Sequence, residues 1–370
     1  MDVKRILGLA LSLVLFVGVG AGIYFSSRDK QEQEAAVRAE REVQVIKGLI
    51  GSEKEAFLND PRVTAILKKR GFVLQLSKAG SREISSRPDL KSFDFGYPAG
   101  APAAVKLQQI SGAKSAIPTF HTVMTVASWE ALIPTLEANG LVSRRDNTYY
   151  IVDMRRLLEM VEQGKRWKQL KENTAYPVGK SILITSTDLR KSNSAAMYAA
   201  LASYILNGDN VIQSEADIAR VLPQVAQLFL RQGFQESSSA GPWEDYVSMR
   251  MGKSPLVMVY EAQFLEYQAK RVTLDGEMAL LYPSPTVITK HILVPFNDKA
   301  ARLGQLLAED AEIQTIAAEY GLRGQNPEHF NTFMKQKGIK VPAAVLEVVD
   351  PPAYEWIEGL VLAVEARFKQ

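Results

Sequence analysis

The sequence predicts an α/β protein of two lobes, in which the N-terminal lobe is resumed by the C-terminal third of the chain. Two observations carry that reading. Short β-branched apolar runs alternate with helix-length amphipathic stretches, as in sheets built from strand–helix–strand units. Proline-marked extended runs at Pro118 and Pro283 suit a chain leaving one domain and then returning to it.

Composition narrows the function. The 370 residues are 46% apolar with a formal net charge of +3, enough for a sizeable core and without a basic nucleic-acid footprint. Absence of cysteine excludes disulfides, thiolate metal sites, a cysteine nucleophile and a lipidated cysteine anchor. The three histidines, His121, His291 and His329, are scattered and lack any paired metal-ligand spacing, so neither metal nor cofactor is expected.

At the N-terminus, Lys4 and Arg5 precede an uncharged apolar run over residues 6–25. At ~1.5 Å per residue it spans ~30 Å, one bilayer core. This favours an uncleaved membrane anchor over a cleaved signal, for which Val19-Gly20-Ala21 is the candidate site. Either way the remainder is exported, so the expected location is the cell envelope, with the soluble domain in the periplasm or extracellular space. The expected organisation is an anchor or signal over 1–27 and a charged stalk over 28–44. Lobe 1 covers 45–117 and 284–370, and lobe 2 covers 118–283.

The first predicted strand, 43–50, ends in Gly51-Ser52-Glu53-Lys54. Asp60-Pro61 then opens a helix that stops at Gly71. A second strand over 72–76 leads into Ala79-Gly80-Ser81-Arg82, again a glycine–serine turn before a helix start. Residues 93–95 form a short strand running into a glycine–proline loop, and a further strand covers 122–126. Ser128 is read as capping a helix over 129–139, followed by a strand at 149–152 and a helix at 154–163.

Residues 181–207 organise the whole reading. An apolar run, 182–185, feeds through a polar loop into a helix opened by Ser192-Asn193-Ser194, with Tyr198, Leu201, Ala202 and Ile205 on one stripe. Such a loop points backbone N–H groups and the positive end of a helix dipole at an anionic or hydroxyl-rich ligand. The same residues also make an ordinary loop with a serine N-cap. Beyond it come a helix at 215–231, strands at 256–260, 278–283 and 286–295, and helices at 299–308, 310–320 and 354–368.

The order of GSEK, AGSR, TSTDLRKSNSAAMYAALASYILNG, LVMVYEAQFLEY, YPSPTVITKHILVPF and LLAEDAEIQTIAAEYGLR resembles the type 2 periplasmic solute-binding proteins over residues 43–324. Within them it is most similar to the molybdate- and sulfate-receptor branch. The resemblance implies two Rossmann-like lobes joined by two crossovers, closing on a ligand held by strand-to-helix turns. It implies first-lobe contacts at Gly51-Ser52 and at Ser81-Arg82 beside Gly80. In the second lobe it implies the Ser192-Asn193-Ser194 helix start and the Tyr260 hydroxyl. Tyr97 and Phe120 join them on spacing and chemistry as walls of the cleft.

One departure stands out. Small-oxyanion receptors bind with neutral donors, whereas here Lys54, Arg82 and Arg190 stand beside three turns. Cations there suit an anionic organic ligand. Plainer uses remain for each residue: a solvated surface charge for the cations, a core position for Tyr260, and φ > 0 turns for Gly51 and Gly80.

The resemblance thus implies a solute receptor for an ABC-type transporter or sensor. One alternative is a membrane-anchored interaction module with no ligand. The other is an enzyme on the same fold, for which Asp188, Glu261 and His121 are the candidates. None of the three has a partner at diagnostic spacing, so no enzymatic activity is expected.

Overall fold

The computed structural model describes residues 43–145, 149–233, 235–342 and 347–369. The anchor and nearly all of the stalk expected from the sequence lie outside the described residues. Among the described residues, no helix is long and apolar enough to cross a membrane.

Among the described residues, 43–45 with 64–73 form one compact unit, and those of 46–63 and 74–369 another. Within the first, the Gln44 amide donates to the Gly71 carbonyl at 2.8 Å, and Gly71 takes φ +83°. The second contains every candidate site residue.

The strands are β1 (Gln44–Ile50), β2 (Phe72–Lys78), β3 (Phe95–Tyr97), β4 (Ile117–Trp129), β5 (Val142–Arg145), β6 (Tyr149–Asp153), β7 (Val257–Tyr260), β8 (Met278–Ser284), β9 (Thr286–Pro295) and β10 (Val348–Val349). They lie in the order β2-β1-β3-β9-β4-β8-β6-β5, with β7 also on β4 and β10 on β9. The sheet is mixed. β1 and β3 run parallel, as do β6 and β8, but β9 is antiparallel to β3 and β4, and β4 to β7 and β8.

Two long strands, β4 and β9, run through the middle of the sheet. The start of β4 pairs with β9 from Ile117↔Leu293 to Val123↔Ile288, and its end pairs with β7 and β8 from Met124 to Trp129. Nearly every residue of β4 from Phe120 onward is buried, which its apolar sequence allows on both faces. The register slips between Pro118 and Phe120, where proline cannot donate to the ladder.

The helices are α1 (Glu55–Leu58), α2 (Pro61–Lys69), α3 (Ala101–Ser111), α4 (Ile133–Ala138), α5 (Met154–Glu162), α6 (Asn193–Leu206), α7 (Glu215–Leu230), α8 (Ala240–Met249), α9 (Glu261–Ala269), α10 (Asp298–Glu309), α11 (Ala311–Glu319), α12 (Pro327–Gln336) and α13 (Tyr354–Phe368). α6 is buried everywhere except Tyr204 and Leu206, so its stripe is in fact a whole circumference. Its run of alanines lets neighbours approach from every side. One large apolar cluster joins α6, α7 and α13 to β4, β7 and β8. A smaller one gathers Leu49, Ile84, Leu107, Ile292 and Val294 around α3.

Several elements differ from expectation. Residues 182–185 make no ladder; only isolated bridges tie Ser181 to Arg166 and Thr185 to Val257, on the edge of β7 away from β4. β4 runs on through Trp129 because Ser128 and Trp129 pair with Ala279 and Met278, so α4 starts later than Trp129. β8 passes through Pro283, which lies past the last residue paired to β4 and so costs no ladder bond there. Four helices, α3, α8, α9 and α12, were not anticipated, although α3 and α12 carry proline in the first turn.

Candidate functional site

The turn after β1 carries a buried cation. Lys54 is 0% exposed, and its ammonium pairs with the Glu53 carboxylate. It also lies 3.3 Å from His291 Nδ1 and 4.8 Å from the centre of the Tyr97 ring. Burial pulls the lysine below its ordinary value, and the Glu53 charge opposes that pull. Gly51 is not left-handed; its φ is −70°. A Cβ there would collide with the folded-back Glu53 carboxylate, so close approach explains this glycine. Ser52 is half-buried at the start of a short 3-10 turn.

Strands β3, β4 and β9 supply the floor. Tyr97 and Thr119 join hydroxyls, and Thr119 Oγ1 donates to the His291 carbonyl at 3.2 Å. His291 is fully buried, and its Nε2 has no partner among the described residues. Burial, with Lys54 and His121 nearby, drives the imidazole well below the usual histidine range, so it is neutral. Phe120 is not part of this cluster. It packs edge-on against Phe57 at 5.2 Å, and the alternation of side chains along β4 puts Thr119 on the side of Tyr97 instead.

Beside this floor stand Tyr260, ending β7, and Asn193, opening α6. Asn193 Nδ2 donates to the Tyr260 hydroxyl at 3.2 Å. The Tyr260 ring lies 6.4 Å from that of His291, and burial, and after it the Glu53 charge, pushes the tyrosine hydroxyl above its ordinary value. Gly100, at φ +92°, faces the Asn193 carboxamide so closely that a Cβ would overlap it.

The remaining turns meet directly. A Cβ on Gly80 would lie 2.6 Å from the Lys191 carbonyl oxygen, and no positive φ is involved there. Ser81 Oγ accepts from the Ala99 amide at 2.9 Å. Arg82 donates to the Arg190 carbonyl at 3.3 Å and to Glu358 at 2.6 Å. Arg190 turns its guanidinium to Asp188, at 2.8 and 2.5 Å, and lies 5.7 Å from the Phe368 ring. Ser192 makes no cap bond; its hydroxyl meets Ser194, which also meets Thr187.

The structure therefore brings together Gly51, Lys54, Tyr97, Asn193 and Tyr260, and separately Gly80, Ser81, Arg82 and the backbone of Arg190 and Lys191. Glu53, Thr119, His291 and Gly100 belong to the arrangement and were missed. Glu53 stands inside the GSEK turn and could have been included for that reason alone. Where Arg82, Asn193 and Glu358 meet, a cavity of about 20 Å³ remains, room for roughly one water. Cavities of about 630, 580 and 340 Å³ lie elsewhere and touch none of these turns. Among the described residues, no group of acidic, histidine or cysteine side chains could hold a metal.

The residues considered for catalysis have structural partners. Glu261 is fully buried and takes Arg323 Nε and Nη2 at 2.7 Å each, with the Tyr282 hydroxyl at 2.7 Å. Asp188 is held by Arg190; burial works against its ionised form, but the hydrogen bonds and charge of Arg190 outweigh this and lower its value. His121 exchanges backbone hydrogen bonds with Arg323 at 2.8 and 2.9 Å.

This is the fold of the extracytoplasmic solute-binding proteins, as the comparisons with known structures establish. Apo ferric ion-binding protein A of Pasteurella haemolytica superposes with a TM-score of 0.57 at 11% identity, covering 88% of this chain and 98% of that one. An ABC transporter substrate-binding protein of Bradyrhizobium japonicum gives 0.55 at 11% identity, over 88% and 98%. The sulfate-binding protein SubI of Mycobacterium tuberculosis gives 0.50 at 15% identity, over 88% and 99%. No protein-family model matches the sequence, and no curated protein matches it.

Proposed function

We propose that the chain is an extracytoplasmic solute-binding protein of the type 2 class, on the molybdate- and sulfate-receptor side of it, that takes a small anion between two lobes. In this reading residues 45–117 and 284–370 form lobe 1, and 118–283 form lobe 2. The two lobes hinge about β4 and β9. The apolar run at 6–25 tethers the domain to the membrane beside an ABC-type permease or a sensor.

The observation that carries the reading is the buried Lys54 ammonium facing Glu53. Around it stand Tyr97 and His291 from one side, and Tyr260 with Asn193 from the other. In this closed form the Glu53 carboxylate sits where the solute anion would. An acceptor entering here would also satisfy the orphan Nε2 of His291.

Titration calorimetry with sulfate, molybdate and a panel of C2–C6 carboxylates tests this. One of them is expected to bind, with at least tenfold loss in Tyr260→Phe. No binding by either wild type or Glu53→Gln at millimolar concentration sinks the proposal.

A second reading has its own observation. The turns at Gly80 and Lys191 touch, and the gap beside them admits only a water. A permanently shut cleft suits a membrane-anchored interaction module. Pull-down of an envelope protein, unaffected by Arg82→Gln or Tyr260→Phe, would favour that reading.

A further inference from the structure

We propose that α13 is a clamp holding the two lobes shut, so that the cleft turns open only when its N-terminal end lets go. The proposal rests on the two-lobe reading, and its solute arm rests on the anion site. By sequence α13 ends the returning segment of lobe 1, yet its apolar face is buried on lobe 2. Ile357, Leu360, Val361 and Val364 are all 2% exposed or less and join the large cluster containing α7. Gly359 lets the helix lie close, since a Cβ there would already be 3.0 Å from Ile218.

The N-terminal end of α13 reaches back to lobe 1. Glu358 accepts from Arg82 Nη2 at 2.6 Å, and the Lys106 ammonium sits 5.0 Å above the Tyr354 ring. Tyr354 and Ile357 also roof the small cavity between Pro102 of lobe 1 and Asn193 of lobe 2. Arg82 is thus held at two points, by α13 and by the Arg190 carbonyl.

The two attachments differ in kind. On lobe 2 the helix is anchored by four buried aliphatic side chains, a contact that salt does not weaken. On lobe 1 its N-terminal end rests on α3 and is tied by an ion pair, with side chains 12% and 26% exposed, and by a cation–π contact. Contacts of that kind are screened by salt. Opening therefore breaks the lobe 1 contacts first and leaves α13 riding on lobe 2.

Hydrogen exchange on the full chain tests the clamp, comparing wild type with Glu358→Gln and with Glu358→Gln/Tyr354→Ala. Amides of 79–83 and 190–194 are expected to exchange at least tenfold faster in the double variant, while α7 and residues 360–364 keep their protection. Raising sodium chloride from 50 to 500 mM should speed the same amides in wild type but not in Glu358→Gln/Tyr354→Ala. Unchanged exchange at the turns, or protection lost equally across α7 and α13, overturns the proposal. Sulfate and succinate serve as probes of the second arm, and at least one is expected to bind the double variant tenfold more tightly than wild type. If the turns open but neither probe binds, the anion site fails and the clamp stands. If a probe binds both proteins alike and the turns do not loosen, the clamp fails and the site stands.

Discussion

The pairs Glu53–Lys54 and Glu261–Arg323 both take a carboxylate and a cation out of water, but they are built differently. Glu261 and Arg323 lie 62 residues apart and meet through two parallel hydrogen bonds of 2.7 Å. Tyr282 donates to the carboxylate, the Pro342 carbonyl accepts from the guanidinium at 3.3 Å, and Phe330 lies 4.0 Å from it. Few polar groups there are left to satisfy. Glu53 and Lys54 are chain neighbours whose meeting closes no long loop, and the neutral His291 beside them keeps an orphan nitrogen. The first pair is a staple between α9 and the segment after α11. The second is a set of polar groups with unused capacity, which is what a binding site needs and a staple does not.

Breaking the staple should have the largest effect. Arg323→Met leaves Glu261 buried with only Tyr282 for a partner, and about 3–5 kcal/mol of stability is expected to be lost in urea unfolding. Lys54→Met strands Glu53 in the same way. The comparison sharpens in the double variants. Glu53→Gln/Lys54→Met should return to within ~1 kcal/mol of wild type, because losing the Lys54 contacts to His291 Nδ1 and the Tyr97 ring is offset by no longer burying two charges. Glu261→Gln/Arg323→Met should stay well below wild type, since Pro342 and Phe330 also lose the guanidinium. Equal recovery in both doubles would erase the distinction.

Next in size is Gly80→Ala. Its new methyl would press on the Lys191 carbonyl, a backbone atom that cannot rotate aside, and about 1–3 kcal/mol should be lost. If this contact exists only in the closed form, the variant should instead populate an open one, seen as a larger radius of gyration.

Acid should act on both sides of the comparison, through His291 beside Lys54 and through His121 beside Arg323 and Glu261. His291 and His121 both have folded values depressed below the usual 6.5. The unfolded chain therefore binds more protons there than the folded one, and stability that is complete above pH ~6.5 declines as the pH falls toward the depressed values. The slope is at most ~1.4 kcal/mol per pH unit for each histidine. His291→Gln should reduce that slope. An unchanged slope would mean that other groups carry it.

Much of the fold was legible because periodicity and caps are local. The strands β6, β7 and β9 and the helices α5, α7 and α13 follow from patterns contained within their own residues. What could not be read is which strand lies beside which. The antiparallel course of β9 against both β3 and β4 depends on partners far away in sequence, and this makes the sheet mixed, which strand–helix–strand alternation does not disclose. The site was half legible for the same reason. Glycine–serine turns flagged Lys54 and Ser81, and the serine-rich helix start flagged Asn193, while His291 reads as one more residue of an apolar strand. Thr119 was recoverable in principle, since period two along β4 separates it from Phe120.

The smallest effect is expected at Ser192, where sequence and structure disagree most instructively. Read locally, it is an N-cap, and Ser→Ala at such a position costs about 1 kcal/mol. In the fold it accepts nothing from the first turn of α6, and its hydroxyl shares Ser194 with Thr187. Ser192→Ala leaves Ser194 with Thr187 as a partner, so the loss should stay below ~0.5 kcal/mol. Ser194→Ala removes the hydroxyl common to both contacts and should cost more. Thermal unfolding of the two variants side by side decides whether α6 is held at its start by a capping serine or by the hydroxyl cluster behind it.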